Sequence, residues 1–279
     1  MQHGRVGDVT GDRLDLIELG RQGDPEAQYR LAGALRLGEL VPQDLERSLF
    51  WCRSAAEQGY APAQNDYGSM VLNGMGCEAN PEESVSWFRK AAEQGLAQAQ
   101  WNLALRYLHG SGIAPDDNQA VLWLVMAYKQ GHIEATSQLG TMFRFGRGVT
   151  RDLLMAAQLH VSAAKNGDPV AHGNLADYRS ELEDLALDGR PEASLALAQI
   201  YEAGLGTDAD LPEALAWLQW GDGLPPTQRL PDQRDERESL RSALQGRLDA
   251  VGIADATQRF RKLQSRTRER KQAAGSGDG

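Results

Sequence analysis

The sequence predicts an all-α solenoid, a stacked array of one repeated helix pair, and three observations carry that prediction. Gly23, Gly59, Gly95, Gly131 and Gly167 stand 36 residues apart without a slip, and self-similarity at a period of roughly 20 to 50 residues marks repeated supersecondary units. Apolar and small residues recur at helical spacing after each of these anchor glycines. No stretch alternates with the two-residue period of a strand.

Taken in order, residues 1–23 contain a stretch, Thr10–Gln22, that reads as an amphipathic capping helix with Leu14, Leu16 and Ile17 turned toward the first repeat. The ends of a repeat array need such caps because they have no neighbour to cover them. Repeats are then expected at 24–59, 60–95, 96–131 and 132–167, a truncated unit at 168–189 and a last unit at 190–223. Within each, Ala27, Ala63, Ala99, Ala135 and Ala171 lie four residues past the anchor, and Leu31, Tyr67, Leu103, Leu139 and Leu175 lie eight past it. The ninth residue is always small (Ala32, Gly68, Ala104, Gly140, Ala176). This is one face of a helix, helix A, with a small residue that lets a second helix come close. Gly38, Gly74, Gly110 and Gly146 end helix A, and Asp44, Asn80, Asp116 and Asp152 are suited to cap helix B, with Pro81 fitting a first turn. Helix B carries the columns Ser48/Ser84/Ala120/Ala156, Trp51/Trp87/Trp123/Leu159 and Ala55/Ala91/Ala127/Ala163, and the tryptophan column, with Trp217, is expected in the core. The fifth unit has lost 14 residues, and Ala171, Leu175, Tyr178, Leu182 and Leu185 predict a single helix over about 169–187. The last unit restores the register with Ala193, Leu197, Ala198, Tyr201, Gly204, Gly206, Asp210, Ala214 and Trp217.

Beyond Gly223 the pattern stops at Pro225, Pro226 and Pro231. Residues 224–272 read as a helical extension: one helix over 232–251 with Leu240, Leu244 and Leu248 on one stripe, a break at Gly252, and a second from Ala256 to about Lys271. Residues 273–279 read as disordered.

The segment Ala97–Gly131, and the run Ala135, Leu139-Gly140, Phe143, Gly146, Gly148-Val149, Asp152, resemble the Sel1-like repeat, a relative of the tetratricopeptide repeat. The resemblance covers about residues 24–223. It implies a right-handed α-solenoid with helix A on its inner face and a role as adaptor or binding scaffold for a protein or peptide, without catalysis. Some similar proteins bind, neutralise or chaperone a secreted effector, and some cysteine-rich relatives have been described as weak β-lactam hydrolases. Here only Cys52 and Cys77 occur, in columns that hold Phe88, Leu124, Val41 and Ile113 elsewhere. They read as two buried thiols, which favours a reducing compartment over the secreted, disulfide-rich branch.

The net charge is −10, and no apolar run matches a secretory signal or a membrane span. A cytoplasmic protein with no membrane span is expected. The charge is uneven: Arg259, Arg261, Lys262, Arg266, Arg268, Arg270 and Lys271 crowd the C-terminal helix while the remainder is acidic. Three readings stand open for this basic helix: a solvated helix, a tail for nucleic acid or an acidic partner, or a strap folded back on the acidic body.

Nothing selects a catalytic centre, a cofactor or a metal. Ser162-Ala163-Ala164-Lys165 spells S-x-x-K, but the same columns read Ser54-Ala55-Ala56-Glu57 in another repeat, and neither companion motif follows. The G-x-G pieces recur in one column and follow no strand, so they are interhelical turns. The five histidines show no zinc spacing. For a partner, the inner-face positions six, ten, thirteen and fourteen past each anchor are expected to serve. They give Tyr29, Arg36, Asn65, Asn73, Trp101, His109, Ser137, Arg144 and Phe145: amides for a peptide backbone, arginines for an acidic group, aromatics as apolar anchors. Trp101, in a column otherwise held by Tyr, Asn and Ser, stands out.

Overall fold

The computed structural model describes residues 16–39, 41–224 and 233–275, without the side chains of 271, 274 and 275. Leu14, Leu40, the three prolines 225, 226 and 231 and Ser276–Gly279 lie outside the described residues. Among the described residues there are helices and no strands: α1 (residues 16–21), α2 (Pro25–Leu37), α3 (Leu45–Glu57), α4 (Ala61–Asn73), α5 (Pro81–Glu93), α6 (Ala97–His109), α7 (Asp117–Lys129), α8 (Ile133–Phe145), α9 (Leu153–Lys165), α10 (Pro169–Leu187), α11 (Pro191–Ala203), α12 (Leu211–Asp222), α13 (Arg234–Arg247) and α14 (Ala250–Gly275). The fold is an α-solenoid of helix pairs with a C-terminal helical extension. The helices form two compact units, residues 1–135 and 136–279.

In the first unit, α2 pairs with α3, α4 with α5 and α6 with α7, while α3 packs on α4 and α5 on α6. The invariant alanines Ala55, Ala63, Ala91 and Ala99 are fully excluded from solvent, which is why nothing larger holds those columns. Every helix B described starts on a side-chain cap: Asp44 accepts from Arg47 N at 2.9 Å and Asn80 from Glu83 N at 3.1 Å. The second glycine of each turn has a different reason from the first. A Cβ on Gly76 would collide with the carbonyl of Leu45, and one on Gly112 with the carbonyl of Pro81, because each turn seats on the start of the preceding helix B. Among the described residues no helix B precedes the first repeat, whose sequence has Leu40 in this column.

Glutamines that the sequence reading passed over tie the pairs together. Gln58 donates to Gln28 Oε1 at 2.8 Å, Gln94 to Gln64 at 2.7 Å and Gln130 to Gln100 at 2.8 Å, closing the end of each B helix on the start of its own A helix. The buried amides of Gln64 and Gln100 then donate to the carbonyls of Ala56 and Ala92, both at 3.2 Å, in the repeat before. The polar atoms are paired, so their burial costs little.

The second unit is built differently. The single helix α10 takes the place of a pair and departs from helical geometry at Tyr178 (φ −119°, ψ 17°). With no B helix following α10, α11 packs on both α10 and α9. The extension covers the last pair: α13 and α14 lie on α12. The break between them falls at Leu248–Asp249 and not at Gly252, because Asp249 caps α14 through Gly252 N at 2.8 Å, leaving the glycine inside the first turn. Helix α14 continues to Gly275 through residues expected to be disordered.

Two expectations about the core need correction. Trp87 and Trp217 are buried, but Trp51 and Trp123 of the same column are half-buried. Cys52 is buried, its thiol pushed up to about 12 by burial, whereas Cys77 is exposed on the α4–α5 turn.

Candidate functional site

Within the first unit, the A helices α2, α4 and α6 present a polar face. The Tyr29 hydroxyl on α2 donates to Asp66 on α4 at 3.1 Å, Asn65 donates to Asp66 at 3.2 Å, and Asn102 on α6 donates to Asn65 Oδ1 at 2.8 Å. A chain of side chains thus crosses three A helices. Burial and the Asp66 carboxylate push the Tyr29 hydroxyl up to about 12, so it stays a donor.

The face is rotated from the one the sequence suggests. Asn65, six past its anchor, is 6% exposed and points between neighbouring helices. The open stripe runs through positions seven, ten and fourteen past the anchor, the i, i+3, i+7 spacing of one helix side, and on α6 it takes in position eleven as well. It includes Asp66, Ser69 and Asn73 on α4 and Asn102, Leu105, Arg106 and His109 on α6, with Met70 buried beneath it. Asn73 and His109 are exposed as expected, and Arg36 is half-exposed. Trp101 does not stand free: it is half-buried, its ring 5.7 Å from that of His132 and tilted by 32°.

In the second unit the expected residues are engaged elsewhere. Ser137 is buried, and its carbonyl accepts from His160 Nε2 at 3.1 Å. Arg144 donates to Asn174 and Asp177, both at 3.3 Å, and its guanidinium lies over the rings of Phe145 and Tyr178. It is therefore not offered to a partner as a bare cation, because the neighbouring A helix supplies an acid and an amide at the right height. Phe145 remains exposed.

Beneath Arg144 lies a buried histidine with no forewarning in the sequence reading. His160 occupies the column of Cys52, Phe88 and Leu124. A carbonyl only accepts, so Nε2 carries the hydrogen toward Ser137, and Nδ1 accepts from the Tyr178 hydroxyl at 2.8 Å. Gly140 makes the room: a Cβ there would lie 2.8 Å from Nε2. Burial, reinforced by Arg144, pulls the imidazole down to about 4.

The basic helix folds back on its own unit, one of the three readings it allowed. Arg259 meets Asp210 at 2.7 Å, Glu213 at 3.0 Å and Asp255 at 2.9 Å, Arg266 meets Glu183 at 3.8 Å, and Arg270 pairs with Asp184 and Asp188. Arg261, Lys262 and Arg268 are exposed, and the Lys271 side chain lies outside the described residues.

Ser162 and Lys165 are exposed at the end of α9, and among the described residues no cluster of three His, Cys, Asp or Glu could hold a metal. No helix among the described residues is long and apolar enough to cross a membrane.

Among curated proteins none matches the chain. Solved structures do. A protective antigen present in uropathogenic Escherichia coli strains, displaying an SLR fold, is similar at 27% identity over 91% of this chain, with a TM-score of 0.59. The chain spans 56% of that antigen's length. A Sel1 repeat protein from Oxalobacter formigenes is similar at 29% identity over 81% of this chain and 68% of its own, with a TM-score of 0.55. The Sel1 repeat model matches residues 25–60, 61–96, 97–132, 133–168 and 191–219. These matches fall on successive helix pairs and cover more than half of the sequence, and the chain belongs to the Sel1 repeat family.

Proposed function

We propose that the chain is a non-catalytic scaffold that binds an extended segment of a partner protein across the A helices of its first unit. Sel1 repeat proteins are in general protein-interaction scaffolds. The observation that carries the reading is the Tyr29–Asp66–Asn65–Asn102 chain. It fixes a hydroxyl on α2 and side-chain amides on α4 and α6, and Asn102 keeps its carbonyl oxygen and one N–H for a peptide backbone. Beside it, Trp101 is held by His132 in one orientation, which lowers the entropy cost of using it as an anchor. The protein is read as cytoplasmic, where free thiols such as Cys52 and Cys77 persist. Nucleic acid is not the partner of choice, because three of the arginines on α14 already face carboxylates of the chain.

The test selects peptides from a displayed random library on the wild-type protein and re-measures them on Trp101→Ala. Loss of about 2 kcal/mol, roughly thirtyfold in affinity, is expected with the helical signal unchanged. Equal binding by the variant would remove Trp101 from the site. Failure to select any peptide would remove the reading.

A further inference from the structure

Arg106 occupies a column that the fold otherwise fills with apolar side chains. The equivalent residues are Ala34, Met70, Met142 and Tyr178, all buried. Arg106 is half-buried, and its Nε is sealed from solvent without a hydrogen-bond partner. Among the described residues its one hydrogen bond runs from Nη1 to the Ser111 hydroxyl at 3.3 Å, which leaves Nη2 without a partner there. Arg144, Arg237, Arg241 and Arg259, also half-buried or buried, each meet a carboxylate, while the half-buried Arg89 donates to the Tyr107 hydroxyl and Arg179 lies over the Tyr201 ring. Burial alone lowers the Arg106 guanidinium, with no acid acting against it. A partly desolvated cation lacking a counter-charge breaks the local rule of the repeat, and such breaks concentrate where function requires them.

The surrounding stripe agrees in sign. Although the chain carries −10, the stripe defined above holds Arg30 and Arg106 against one acid, Asp66, which is already engaged by Tyr29 and Asn65. We infer that the segment bound on this face is acidic, and that Arg106 receives one of its carboxylates through Nη2. The neighbouring Asn102 takes the segment's backbone. This rests on the reading of the A-helix face as the binding surface and adds the chemistry of its occupant. A guanidinium is suited to the task because it stays charged when partly desolvated and presents its donors in a fixed plane.

The experiment uses the full chain and a random twelve-residue peptide library displayed on beads. Selection on wild type is expected to enrich peptides containing Asp or Glu. Binding of the enriched peptides should fall at least tenfold on Arg106→Met and several-fold on Arg106→Lys. Replacing the peptide's acid by its amide should weaken binding to wild type by a similar factor and change nothing further on Arg106→Met. Because Met is the repeat's own residue in this column, Arg106→Met should melt at or above the wild-type temperature, so a loss of binding cannot be put down to unfolding. Enriched peptides without acids, or undiminished binding by Arg106→Met, would overturn the inference and leave the scaffold reading standing. No enrichment at all would overturn both, and displacement of the acidic peptides by an equal concentration of a single-stranded oligonucleotide would assign the cation to phosphate instead.

Discussion

Arg237→Ala is expected to destabilise the second unit by about 3 kcal/mol, the usual cost of removing one partner from a buried, hydrogen-bonded charge. Arg237 on α13 is 8% exposed. Its guanidinium donates to Pro191 O at 3.1 Å, to Leu218 O at 3.2 Å and to the Ser194 hydroxyl at 3.3 Å, and its Nε meets Asp222 at 3.2 Å. One side chain therefore ties the extension to both helices of the last repeat, α11 and α12. Truncation leaves carbonyls and a hydroxyl unpaired in a site that water does not reach readily, and it frees Asp222 from one of its two arginines, Arg241 being the other. Arg237→Lys should recover little, since an ammonium on a single point cannot span these acceptors. Denaturant unfolding followed by hydrogen exchange in α11–α13 checks this, and a change under about 0.5 kcal/mol would show that the extension holds by its apolar contacts alone.

The second large effect is a loss of stability in acid traceable to His160. The folded imidazole titrates near 4, against an ordinary value of 6.5. Below 6.5 the unfolded chain takes up a proton that the folded site refuses, so stability is complete above 6.5 and drains away as pH falls toward 4. The shift corresponds to about 2 kcal/mol lost at pH 5 and about 3 at pH 4. His132, lowered by its own burial, adds a smaller contribution of the same sign in the first unit. His160→Leu takes the residue that the third repeat uses in this column, Leu124, and removes the titration. The variant gives up the bonds to Ser137 and Tyr178 at pH 7, yet the slope of its stability between pH 6.5 and 4 should be shallower than that of wild type. Identical slopes would contradict the assignment.

Much of this architecture can be read before any coordinate is known. The anchor glycines, the caps at Asp44 and Asn80 and the alanine columns are set by backbone geometry and close packing, both of which leave a residue-type signature at fixed spacing. The glutamine pairs leave one too, at columns five and thirty-five, and go unnoticed only because glutamine carries no conformational meaning of its own. The site is harder. Whether a polar side chain at column six or seven faces a partner depends on a rotation of tens of degrees about the helix axis, and Asn65 and Asn102 differ by that much. Arg144, Arg237 and Arg259 look alike in sequence, and only tertiary neighbours distinguish an occupied arginine from Arg106.

The most direct measurement of the central claim is photocrosslinking of a selected peptide, or of the partner in cells, with a photoreactive phenylalanine analogue placed in turn at His109 and at Leu122. Both positions are exposed, the first on the A-helix face of α6 and the second on α7, helix B of the same pair. Crosslinks at His109 and none at Leu122 are predicted. The reverse pattern would contradict the account and move the binding surface to the B helices.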